Sequence, residues 1–147
     1  MTWSRGVVRA TVLGAAVLVS SSGCGLGAER APSAEVGDCL DMATVDQAQV
    51  SEIPTVDCGE PHDGQVVHAF DMNGEGYPSD REWSRAIEQE CTQGFEDFVG
   101  TSYGESDLLV QDLSPTRGSW ESGDRQVLCV AFLSDGTTSK TFEDAEI

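Results

Sequence analysis

SDREWSRAIEQECTQGFEDFVG, residues 79–100, is the stretch that decides the fold. Ser79 followed by Glu82 three positions on has the form of a capping box, and Gly100 supplies a residue that can leave the helix in a left-handed conformation. Between them the spacing predicts one helix over 80–99. Its apolar members, Trp83, Ile87, Cys91, Phe95 and Phe98, recur every three or four residues and therefore share one stripe. A single amphipathic helix cannot bury that stripe alone, so it must lie on a sheet.

Cys91 stands in the middle of the stripe, so its sulfur must face a buried strand. Gln126–Leu133 has that character, because Val127, Leu128, Cys129, Val130, Ala131, Phe132 and Leu133 run without a polar break and include β-branched and aromatic residues. Cys91–Cys129 is then the expected bridge, and Cys39 with Cys58 the other. No pair among these four has the C-x-x-C spacing of a metal or redox motif. Further strand segments are Gln65–Asp71 and Leu108–Leu113, the second preceded by a turn at Ser102-Tyr103-Gly104-Glu105, and the early segments 37–42 and 53–58 carry the remaining cysteines. The expectation is α+β: a small, largely antiparallel sheet with one long amphipathic helix packed on one face and two disulfides. Residues 36–134 form this domain, and residues 135–147, of which 137–147 are expected to fray, form an acidic C-terminal tail.

The beginning of the chain has a different character. Arg5 and Arg9 precede an uncharged apolar stretch, Ala10–Val19, and then Ser20, Ser21, Ser22 and Gly23 lead into Cys24. That is the layout of an export signal over residues 1–23, too short for a span that needs about 20 apolar residues. Ser21-Ser22-Gly23-Cys24 resembles the bacterial lipobox, with Ser21 where an aliphatic residue is usual. The resemblance implies that Cys24 receives diacylglycerol, with acyl chains such as palmitate, and becomes the mature N-terminus; cleavage by the general signal peptidase after Ala28 is the alternative. Residues 24–35 read as a flexible tether whose eleven residues from Gly25 to Glu35 reach at most about 35–40 Å.

The whole chain carries 26 acidic and 8 basic residues, a formal charge of −18. Removing residues 1–23 takes away Arg5 and Arg9, leaving 26 acids against 6 bases and a net −20. A body so charged repels DNA, RNA and an anionic bilayer, so nucleic-acid functions are excluded and any membrane attachment must be through lipid.

Val36-Gly37-Asp38-Cys39-Leu40, Val56-Asp57-Cys58-Gly59-Glu60-Pro61-His62-Asp63, Cys91 followed by Phe95 and Phe98-Val99-Gly100, Pro115-Thr116, Ser119-Trp120 and Gly123-Asp124-Arg125-Gln126-Val127-Leu128-Cys129 together resemble the septum-formation domain family. The resemblance covers about residues 36–133. It implies an extracytoplasmic envelope protein of actinobacterial type, often lipid-anchored at the cell membrane, with a link to division septa and an envelope protein as partner. It implies no general activity and no cofactor.

Two groups of residues remain as candidate binding positions. His62 and Asp63 follow Cys58 closely; the expectation is that His62 braces its loop, and an envelope hydrolase using His62 with Asp63 or Glu60 is the rival. Trp120, Asp124 and Arg125 precede the buried strand, where Asp124 suits a turn, Arg125 is expected to pair with a carboxylate, and Trp120 covers the edge of the core. A ligand-sensing lipoprotein would need an apolar cavity lined by Trp120 or Trp83. His68 is expected as a packing residue. No zinc spacing and no calcium loop is present, so no metal is expected, nor any catalytic residue.

Overall fold

The computed structural model describes residues 34–45 and 53–147. The export signal over 1–23, Cys24 and the tether up to residue 33 lie outside the described residues.

The predicted helix, α2, spans Asp80–Val99. Glu82 turns back to accept hydrogen bonds from the Ser79 N–H at 2.8 Å and the Ser79 hydroxyl at 2.6 Å. At the other end Gly100 adopts φ 82° and donates to the Glu96 carbonyl. The Ser79 hydroxyl first, its backbone N–H second and Arg85 as a smaller cause hold the exposed Glu82 carboxyl below the usual glutamate value of 4.5. This stabilises the helix start above that value and is lost as pH falls through the lowered one. An NMR titration of Glu82 will therefore show a midpoint below 4.5, with the Ser79 amide following it; a midpoint at or above the ordinary value contradicts the cap.

Five strands form one antiparallel sheet in the order β2-β1-β3-β5-β4. They are β1 (Cys39–Leu40), β2 (Thr55–Val56), β3 (Gly64–Asp71), β4 (Leu109–Leu113) and β5 (Gln126–Phe132). β5 sits between β3 and β4, which is why its apolar run is unbroken: Val127, Leu128, Cys129, Val130 and Ala131 are buried on both faces. Cys129 and Ala131 point toward α2 with Cys91, Phe95 and Val99. Leu128 and Val130 point the other way, against Leu40, Met42 and Val45 of the early segment, where α1 (Met42–Val45) forms one turn. A register shift between Val66 and His68 places Val67 in the helix-side cluster while His68 also lies under α2.

Both disulfides have the expected pairing, Cys39–Cys58 and Cys91–Cys129. His68 packs as expected, its ring lying beneath Gly94, where an added Cβ would collide with its Cγ. Its Nε2 lies 3.7 Å from a Glu90 carboxylate oxygen.

Two expectations are corrected. The C-terminal segment is not a frayed tail. Thr138 forms a two-way backbone bridge with His62, Phe142 is 1% exposed within the helix-side core, and the Phe142 N–H donates to the side-chain oxygen of buried Gln65 at 2.6 Å. Beyond it, the N–H groups of Asp144 and Glu146 donate to the carbonyls of Phe98 and Val99, which the end of α2 leaves without helical partners. The physical reason for the misreading is that this strap is held by backbone bonds and one aromatic ring, so its sequence shows no periodicity. The domain also begins before residue 36, since Ala34, assigned to the tether, is buried against the face opposite α2.

Candidate functional site

The two candidate groups lie at opposite ends of β3, whose eight residues span roughly 26 Å. At its start, His62 is 1% exposed. Its Nδ1 lies 2.9 Å from the Glu60 carbonyl oxygen; a carbonyl can only accept, so Nδ1 carries the hydrogen. Nε2 is buried without a partner among the described residues, and the ring packs against Phe142 at 6.0 Å between centroids. The Asp63 carboxylate accepts instead from the Met42 N–H at 2.8 Å, at the start of α1. Glu60 meets His62 through its backbone, not its carboxylate. The loop therefore offers no His–carboxylate dyad with a reachable nitrogen, which removes the main ground for a His62 hydrolase.

At the far end stands the second group, and it is larger than its sequence segment. Helix α3 (Arg117–Glu121), which the sequence reading missed, is capped by Thr116, whose side chain accepts from the Ser119 N–H at 3.1 Å. The Thr116–Ser119 spacing was its legible signal. α3 turns Trp120 inward, where its ring meets Tyr77 edge-on at 5.7 Å and Trp83 of α2 at 6.0 Å; Tyr77 and Trp83 also meet edge-on at 5.7 Å. The Trp120 indole donates to the Glu75 carbonyl and the Tyr77 hydroxyl to the Pro115 carbonyl, so the cluster fastens the β3–α2 loop to α3. The buried Trp83 indole N–H has no acceptor among the described residues.

Two arginines cover this cluster. The Arg125 guanidinium lies 3.8 Å over the Trp120 ring, and that of Arg117 lies 4.4 Å over Tyr77. Arg125 does not pair with a carboxylate as expected: one of its terminal nitrogens donates to the Trp120 and Asp124 carbonyls, each at 2.7 Å. The reason is local, because the turn at Gly123, with φ 97°, points those two carbonyls at the guanidinium while the Asp124 carboxylate accepts from the Gln126 N–H. Among the described residues no three of His, Cys, Asp and Glu gather in a metal-holding group.

These features define a disulfide-braced α+β domain with an acidic body, one sealed histidine loop and one arginine-covered aromatic corner. The family profile described as Septum formation matches residues 6–139, and the chain belongs to that septum-formation family, whose members are septum-related envelope domains. No curated protein and no solved structure matches the chain.

Proposed function

We propose that this protein is a non-catalytic interaction module of the bacterial envelope, held on the outer face of the cytoplasmic membrane by lipid on Cys24 and acting through contact with an envelope protein. The observation that carries the reading is the use of the cysteines. Four of the five are paired in two disulfides, as suits an oxidising compartment, and Cys24 alone is left over, directly behind an apolar segment and four small residues. Two acyl groups or more anchor stably, since each buried methylene contributes about 0.8 kcal/mol, and no basic patch is needed. The engagement of His62 and Asp63 in their own loop supports a role without catalysis.

Mass spectrometry of the mature protein and fractionation of Cys24→Ala test this. The expected results are an N-terminal acylated cysteine in the wild type, and in the variant either release from the membrane fraction or an unprocessed precursor. An unmodified mature terminus downstream of Cys24 overturns the anchor.

A further inference from the structure

We infer that the Arg117–Arg125 corner is the docking site for a short carboxylate-bearing peptide segment of the partner. The inference rests on the interaction-module reading and gives that module a place and a chemistry. In a chain with 26 acidic residues, neither guanidinium lies within ion-pair distance of a carboxylate among the described residues. Of the acids near in sequence, Asp124 accepts from the Gln126 N–H and Asp112 from the Ser114 hydroxyl, while exposed Glu121, four residues from each arginine, forms no ion pair with either among the described residues. Arg125 uses one terminal nitrogen on the two carbonyls, and among the described residues its other nitrogens have no partners and exposed Arg117 has none. Both lie over rings whose centroids are 5.7 Å apart, Arg125 held also by its two carbonyl bonds and Arg117 by its ring alone. A guanidinium set in this way presents parallel N–H donors matched to a carboxylate. Exposed Arg81, Arg85 and Lys140 have no such ring support.

Charge decides among oxyanion sources. An anionic bilayer or a polyphosphate extends beyond the corner and meets the rest of the acidic body, which repels it. A short acidic segment engages only the corner, because charges more than about 8 Å away are screened at physiological salt.

The test is an NMR titration of the 15N-labelled full chain carrying Cys24→Ala, in nonionic detergent at constant ionic strength, with tetra-glutamate as probe. The expected result is selective movement of the Arg117 and Arg125 Nε–H and Trp120 indole signals. Arg117→Gln should keep the melting temperature and weaken binding roughly fivefold. Inorganic phosphate, and phosphatidylglycerol vesicles in a detergent-free sample, serve as parallel arms. Equal movement at Arg81 and Arg85, unchanged affinity in Arg117→Gln, or a response to phosphate or vesicles without one to tetra-glutamate overturns the inference. The lipid on Cys24 is read independently of these signals, so a failed titration beside an acylated terminus removes the docking site alone.

Discussion

Phe142→Ala is expected to lower the stability of the domain by about 3–5 kcal/mol, the range for removing a fully buried phenylalanine ring. For a domain whose whole stability is of the order of 5–15 kcal/mol, that is a severe loss from a position five residues before the last. The ring packs in the helix-side cluster with Phe95, Val99 and Leu108, and its backbone N–H is bonded to buried Gln65. Gln65 also donates to the Gly37 carbonyl at 2.9 Å and to the Thr141 hydroxyl oxygen at 3.0 Å, so one side chain on β3 ties the first turn of the domain to its last segment. Loss of Phe142 should therefore loosen more than the cavity it leaves. Amide exchange at Asp144 and Glu146, which donate to the last carbonyls of α2, should accelerate with it. Urea unfolding with both disulfides intact measures the first effect and native-state hydrogen exchange the second. Lys140→Ala, an exposed change in the same segment, should stay within about 0.5 kcal/mol. Equal effects of the two substitutions would mean that the strap does not dock.

The strap also shows where sequence reading stopped. Helix α2 was legible from its period and strand β5 from its unbroken apolar run, and Cys91 could be paired with Cys129 because the period put Cys91 on the buried stripe and the run marked a buried strand for it to face. The short strands β1 and β2, of two residues each, were located only as segments around Cys39 and Cys58. The strap has one aromatic residue among threonines, serines and acids, and its bonds use the backbone, which every sequence possesses. Gln65 was unreadable as a buried hub for the same reason: a polar residue in a strand looks solvent-facing until its four-way bonding is seen. In the arginine corner, Trp120, Asp124 and Arg125 were found because they are neighbours in the chain. Tyr77, Trp83 and Arg117 join them only when α2 and α3 meet, a tertiary contact that no local pattern encodes. Arg125 was assigned a carboxylate by abundance, and the turn at Gly123 gave it carbonyls instead.

Removing the Cys91–Cys129 bridge as the double variant Cys91→Ala/Cys129→Ala is expected to cost about 4 kcal/mol from chain entropy, whereas removing Cys39–Cys58 should cost about 3. The difference from loop length alone is small, since the separations are 38 and 19 residues and the dependence is logarithmic. Burial widens it. Cys91 and Cys129 are both buried where α2 crosses the central strands, so each alanine also leaves empty volume beside Phe95 and Val67. Cys39 is buried but Cys58 is partly exposed, and the second bridge ties β1 to the loop after β2, at the edge of the sheet. Double variants are required because a single substitution leaves a free thiol that can exchange with the other bridge. Thermal and urea unfolding of the two double variants should rank them with Cys91–Cys129 clearly the more costly, and under cellular conditions its loss should lower the amount of protein. If the Cys39–Cys58 variant unfolds first, the helix is not the element the domain depends on: the small β1–β2 edge would then hold the face opposite α2 in place, and the strap and Gln65, bonded to that edge through Gly37, would have to carry the helix-side core without the bridge.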